Sequence, residues 1–287
     1  MHYTGFFVDF NFYPPFYCCT FLFMRVACSV EYNGFNFCGW QKQPDSPTIQ
    51  GLIEQALFKI AHQKINTYAS GRTDKGVHSL GQVFHFDTSE NRPTHAWVKG
   101  VNAFLPDSIR IKWANIVDET FHARHSALER EYQYLLVNDQ YNSAPFHTNF
   151  GWTYHNLNTD IIRPACQRFI GKHDFSSFRS SECQAKSPIR TINNFNYETF
   201  GKFHIFTISA DGFLQHQIRN IIATIIHVSR GVDNVEFIDD LLLKKNRIYA
   251  PATFMSNGLY LTNIKYDDKW KLPISNNKVN IFNSNDN

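Results

Sequence analysis

The sequence predicts an α+β protein made of two units, residues 24–118 and 119–266. Three observations carry that prediction. Strand-like alternation and helix-like spacing follow one another as β-α-β-β-α-β over the first unit. The same rhythm returns in the second half without obvious sequence identity. The chain has 287 residues, 43% of them hydrophobic, enough for a substantial buried core and against global disorder. Taken in order, Val26, Cys28 and Val30 alternate with Arg25, Ser29 and Glu31, apart from Ala27, as in a strand packed on one face. Thr48 precedes Ile49, Leu52, Ile53, Ala56, Leu57, Ile60 and Ala61, which predicts an amphipathic helix capped near Thr48 or Ser46. Residues 65–70 and 82–87 read as strands around a polar loop. Residues 94–104 read as a helix, and Ile109, Ile111 and Trp113 as a strand. The second unit reads as a strand from Tyr132 to Val137 and a helix from Asp160 to Ile170 that stops at Gly171. Strands at 190–198 and 203–210 follow, then a strongly apolar helix from Leu214 to about Val228. A short helix near 235–244 and a strand at 258–264 close the unit. From Asp267 the chain turns rich in Asn and Asp, and residues 267–287 are expected to fray.

Charge excludes little. Lys and Arg number 28 against 25 Asp and Glu, and a net charge of +3 neither identifies a nucleic-acid binder nor rules out a local basic face. The six cysteines form no C-x-x-C pair and read as free thiols in a reducing, cytoplasmic compartment. No apolar run is long enough to span a membrane. Residues 1–23 contain no Lys or Arg, and Asp9, Asn11 and Pro14-Pro15 break their apolar run. They fit neither a signal peptide nor an amphipathic helix, and are expected to be an extension outside the fold, with Met24 a candidate translation start.

Three segments could carry chemistry. In the loop Gly71-Arg-Thr-Asp-Lys-Gly76, two cations bracket one carboxylate; Val77 and His78 follow where a Walker loop needs Lys and Ser or Thr, which excludes it. On its own residues the loop reads as an Asx-type turn in which Asp74 holds backbone amides. Arg219 is the one formal charge between Phe213 and Ser229, among Ile218, Ile221, Ile222, Ile225 and Ile226. A guanidinium there needs a carboxylate or a phosphate, either as a structural ion pair or as the partner of a catalytic acid. In Arg130-Glu-Tyr132-Gln-Tyr134 the tyrosines share a strand face, suited to a core or to stacking a nucleobase. His122 and His125, spaced i, i+3, and His216 in the Arg219 helix lack the pattern of a zinc site, so no metal is expected; His85 reads as a half-buried strand residue.

Together these segments resemble the bacterial tRNA pseudouridine synthase A family. Ala69-Ser-Gly-Arg-Thr-Asp-Lys-Gly-Val-His-Ser-Leu-Gly-Gln-Val83 is similar to its signature A-G-R-T-D-A-G-V-H-A-x-G-Q-V. Tyr32-Asn-Gly34 with Gly39-Trp-Gln-Lys-Gln43, Phe121-His-Ala-Arg124 with Arg130-Glu-Tyr-Gln-Tyr134, Gly171-Lys-His-Asp-Phe175, Phe213 to Asn220, Ala250-Pro251 and Gly258-Leu259 follow in family order, over about residues 24–266. Phe35, Ser70, Lys75 and Ser79 depart from the pattern mildly. The resemblance implies two RNP-like (ferredoxin-like) halves whose sheets join across a central RNA-binding cleft, acting as a homodimer on tRNA. It implies isomerisation of uridine to pseudouridine in the anticodon stem-loop, at the positions conventionally numbered 38, 39 and 40, with no cofactor and no metal. Asp74 matches the catalytic aspartate, Tyr132 the tyrosine against the target base, Arg219 the aspartate's basic partner and Arg72 the arginine that displaces the nucleotide. Lys172, Arg179, Lys244, Lys245 and Arg247 are candidates for phosphate contacts. The rival readings are a non-catalytic RNA-binding or tRNA-chaperone module of the same fold, and a related synthase with other RNA targets.

Overall fold

The computed structural model describes residues 23–140, 147–273 and 277–279, so the expected extension lies outside the described residues apart from Phe23. Among the described residues ten strands form one continuous sheet. Strand β1 (Met24–Tyr32), helix α1 (Ile49–Ala61), β2 (Tyr68–Ala69), β3 (His78–Thr88), α2 (Thr94–Asn102) and β4 (Ile109–Val117) build the first half. The second half contains β5 (Ala127–Asn138), β6 (Gly151–Thr153), α3 (Ile162–Gln167), β7 (Gly171–Asp174), β8 (Ile189–Phe200), β9 (Phe203–Ala210), α4 (Gln217–Ser229), α5 (Phe237–Lys244) and β10 (Leu259–Tyr266). The sheet order is β4-β1-β3-β10-β5-β9-β8-β7, with β2 added on β3 and β6 on β5.

Each half packs its own helices on the sheet. Thr48 caps α1 through its Oγ1, which accepts from Gly51 N, a contact of about 1 kcal/mol. The α1 face of Ile49, Ile53, Ala56 and Leu57 meets Val26, Cys28, Val30, Phe84 and Phe86, with Trp97 and Val101 of α2 completing that core. In the second half α4 presses Ile218, Ile221, Ile222 and Ile225 against Tyr134, Phe195, Phe206 and Ile208. Each isoleucine so buried contributes about 1.5–3 kcal/mol. Ala27, the exception to the alternation of β1, faces the opposite side of the sheet. There Phe121 and Ala123 cover it, with Trp270 and Leu272 packed alongside. The tail therefore departs from the expected fraying at its start. Trp270 meets Phe121 edge-on at 5.2 Å, and Asn277 pairs with Asn263 through the Asn277 amide at 2.9 Å.

The halves join at one narrow seam. Strand β10, last in the chain, inserts between β3 and β5, running parallel to β3 through Tyr260–His78 and Leu261–Ser79 and antiparallel to β5. His78 rivets the seam. Its Nδ1 accepts from Gly34 N at 3.1 Å, which makes Nε2 the protonated nitrogen that donates to Asn257 O at 2.9 Å. The ring stacks on Tyr260 at 4.5 Å, and burial lowers its pKa from 6.5 to about 4.

Candidate active site

The loop 70–77 enters this seam from the first half, and its conformation is set by the main chain. Trp40 N donates to Thr73 O at 3.1 Å, and Val77 N to Asp74 O at 3.2 Å. Tyr32 and Thr73 pair their hydroxyls at 2.9 Å in the interior. Gln82 Nε2 donates to Gly71 O at 2.7 Å. Gly76 turns the chain at φ +80, a conformation side chains with a Cβ rarely adopt. Gly34 lies so close that a Cβ would sit 1.9 Å from Val77 O. With the backbone so tied, the Asp74 side chain does not fold back on loop amides as in an Asx turn; it points to the second half.

There Arg219 Nη1 donates to Asp74 Oδ2 at 3.2 Å, and Arg219 Nε to Phe254 O at 2.8 Å. The lone charge of the apolar helix thus has its carboxylate. His216 Nε2 lies 3.4 Å from the same Oδ2. Among the described residues Oδ1 takes no hydrogen bond. Helix α4 begins at Gln217 rather than Leu214 because His216 adopts φ 63, a left-handed conformation that costs about 1 kcal/mol or more for a residue with a Cβ. That strain aims the imidazole at Asp74 and leaves the carboxylate by the first turn of α4, the positive end of its dipole. Burial holds the His216 pKa below its ordinary value; Asp74 opposes the shift, Arg219 adds to it, and Glu182 and Arg247 act more weakly in opposite senses.

Tyr132 lies on β5 with only 9% of its surface exposed, its ring edge-on to Phe213 at 5.3 Å. Burial pushes its phenol well up; Arg130 pulls it back and the Asp74 charge adds to the rise, so both charges are near. Tyr134, two residues on, is a core residue whose hydroxyl donates to Met255 O at 2.8 Å. Arg72 is exposed, and its side chain makes no hydrogen bond or ion pair among the described residues. The structure therefore brings Asp74 and Arg219 into contact, sets Tyr132 at the edge of the same site, and leaves Arg72 facing solvent on the loop.

Two neighbours escaped the sequence reading. His216 was weighed there only as a metal ligand; among the described residues no three His, Cys, Asp or Glu groups are placed to hold a metal ion. Arg130 holds the loop from the far half. Its Nη2 donates to Ser70 O at 3.1 Å and its Nη1 to Asp211 O at 2.9 Å, tying the loop to the turn that precedes α4. The available signal was its spacing: residues 130, 132 and 134 share one face of β5.

A carboxylate reached from both halves of an α+β sheet, with one oxygen held by a guanidinium beside an imidazole and the other unengaged among the described residues, is a geometry suited to an enzyme site. Similarity to known proteins gives the class more narrowly. The family model described as tRNA pseudouridine synthase matches residues 28–126 and 165–267. The chain is 43% identical to the tRNA pseudouridine synthase A of Methylobacillus flagellatus, over 90% of this chain and 99% of that protein. It is 44% identical to the one from Nitrosomonas eutropha, over 88% of this chain and 91% of that protein. The Shewanella frigidimarina protein of the same name is 41% identical, over 87% of this chain and 96% of that one. The chain belongs to the tRNA pseudouridine synthase family.

Proposed function

We propose that this protein isomerises uridine to pseudouridine in tRNA, with Asp74 as the reacting carboxylate. Its relatives bear that activity in their name. The observation that carries the residue assignment is the division of labour at Asp74: Arg219 and His216 hold Oδ2, which leaves Oδ1 for the substrate. The reaction breaks the ribose C1′–N1 bond and forms C1′–C5. The hydrogen on C5 leaves as a proton and N1 gains one, so no electrons and no atoms are exchanged with a second substrate. The chemistry then needs a fixed carboxylate, a pocket for the freed uracil and groups that handle one proton.

Arg219 and His216 act as positioning residues that hold one rotamer of Asp74. Tyr132 meets the uracil as a neutral phenol, because burial disfavours its phenolate. Arg72, exposed beside Asp74 on the loop, takes the space of the uridine when it swings out of the stack. That extrusion costs a few kcal/mol and is cheapest in loops and at stem ends. This suits the anticodon stem-loop at positions 38, 39 and 40, which the protein modifies as a cytoplasmic homodimer with tRNA spanning both subunits. A non-catalytic RNA-binding role leaves the Asp74, Arg219 and His216 constellation without a purpose and is not favoured. The test is to treat tRNA transcripts with uridine at 38, 39 or 40 and map pseudouridine by chemical adduct and reverse transcription. Conversion confined to those positions is expected; conversion only elsewhere, or none, overturns the reading.

A further inference from the structure

Next to the site, the last turn of α5 and the chain that follows it display large apolar side chains. Ile248 is 85% exposed and Leu243 77%, the highest values of any large hydrophobic residue among the described residues, and Tyr249 is 56% exposed. One exposed isoleucine is ordinary on a protein surface. Three such residues within seven positions, one at the end of α5 and two on the turn after it, are not explained by folding. The turn is well built: Asn246 N donates to Ser177 Oγ at 2.8 Å, Asn246 Oδ1 caps Ile248 N at 3.1 Å, and Arg247 Nη1 donates to Ala250 O at 2.8 Å.

Charge says what such a knuckle meets. From Leu241 to Tyr266 the chain has four cations, Lys244, Lys245, Arg247 and Lys265, and no Asp or Glu. The Lys244 ammonium stands 5.3 Å from the centre of the Tyr249 ring; Lys244 and Lys245 are both exposed, and Lys245 makes only a long, 3.9 Å approach to Asp174 Oδ2. An aromatic face and an apolar wedge set among cations suit a polyanion that also offers flat bases, rather than a lipid surface or an apolar protein groove. The knuckle is continuous with the active site. Arg247 Nη2 donates to Asn220 Oδ1 at 3.2 Å, one residue from Arg219, and the same segment supplies the Phe254 carbonyl that Arg219 holds.

We propose that the Ile248–Tyr249 knuckle is an RNA-docking surface, on which the strand beside the extruded uridine stacks against Tyr249 while Ile248 wedges the neighbouring step and Lys244 and Lys245 take its phosphates. This rests on the reading of the active site as a tRNA-modifying centre and adds the surface that holds the flanking nucleotides.

The test compares wild type, Ile248→Ser, Tyr249→Ala and Lys244→Ala on one unmodified tRNA transcript. Dissociation constants by fluorescence anisotropy, KM and kcat for pseudouridine formation, and sedimentation are measured for each. Tyr249→Ala and Ile248→Ser are expected to raise Kd and KM about tenfold, as loss of one stacked base does, and to raise KM more than they lower kcat. Lys244→Ala is expected to reduce the slope of log affinity against log salt by about one. Melting temperatures should stay at the wild-type value, since the substituted side chains are exposed. Wild-type affinity in Ile248→Ser and Tyr249→Ala overturns the proposal, and so does a change in sedimentation with tRNA affinity intact, which would make the knuckle a contact between copies. If wild type binds the transcript but forms no pseudouridine, the catalytic reading fails, and the Kd values alone still decide the docking surface.

Discussion

The two regions that meet at Asp74 are built differently. The loop 70–77 is held through its backbone: Thr73 O and Gly71 O accept bonds from the first half, and Gly34 lets the chain pass at a distance no side chain would allow. The start of α4 works through side chains, with a guanidinium and an imidazole aimed at one carboxylate oxygen from a backbone strained at His216. The lesson is that one half fixes where the carboxylate is, and the other fixes which of its oxygens is free. Damage to the first should therefore appear as lost stability, and damage to the second as lost turnover in a folded protein.

The largest effect should come from the side-chain half. Arg219→Ala leaves the Asp74 carboxylate without its guanidinium, and kcat is expected to fall about 10³-fold, or ~4 kcal/mol. Arg219→Lys should recover only part, because an ammonium cannot serve both Oδ2 and Phe254 O as the fork does. Steady-state kinetics with circular dichroism checks this; a poorly folded Arg219→Ala protein would blur the contrast between the halves. In the backbone half, Gly34→Ala puts a Cβ 1.9 Å from Val77 O. Chemical denaturation is expected to show a loss of about 3 kcal/mol or more.

Acid should weaken the seam next. His78 has its pKa lowered from 6.5 to about 4, so the unfolded chain takes up the proton first as pH falls. Stability from this residue is complete above about pH 6.5 and declines towards pH 4, by up to about 3 kcal/mol. His85, also lowered to about 4 by burial, adds in the same direction. Urea denaturation of wild type and His78→Gln at pH 7 and pH 4.5 measures the share of His78: the variant, less stable at pH 7, should lose less on acidification. The smallest effect separates reach from backbone tolerance at His216. Gln presents an amide near the position of Nε2, whereas Asn suits the left-handed backbone but falls short. His216→Gln should retain most of kcat, and His216→Asn should lose about tenfold, the scale of one polar contact to a charged group. Equal rates in both variants would remove His216 from the positioning role.

What the sequence disclosed follows from what is local. The helices over 49–61 and 94–102 and the paired strands β8 and β9 carry periods that only short-range geometry imposes, and they appear within a few residues of where they were read. Strands β6 and β7, three and four residues long, are too short for any period to show. The beginning of β3 at His78 was hidden because its first residues also belong to the loop signature. Helix α4 was read three residues too early, since apolar spacing does not register that His216 turns left-handed. At the site, the loop's own residues suggested only an Asx turn and Asp74 stood out through the likeness of the loop to a family signature, whereas Arg219 was legible as a charge that an apolar helix cannot leave unpaired. The meeting of the two across 145 positions depends on β10 entering between β3 and β5, a non-local pairing that no window of sequence contains. Non-local pairing also hid Arg130, whose link to Ser70 spans 60 positions and crosses the seam. It also hid the difference between Tyr132, at the rim, and Tyr134, sealed in the core.

Asp74→Asn asks whether Asp74 is the reacting carboxylate, since the amide keeps the shape and removes the charge. Single-turnover release of tritium from tRNA labelled at uridine carbon 5 should fall at least about 10³-fold, with the tRNA dissociation constant within a few-fold of wild type. Release within tenfold of the wild-type rate would mean that a group other than Asp74 reacts with the uridine.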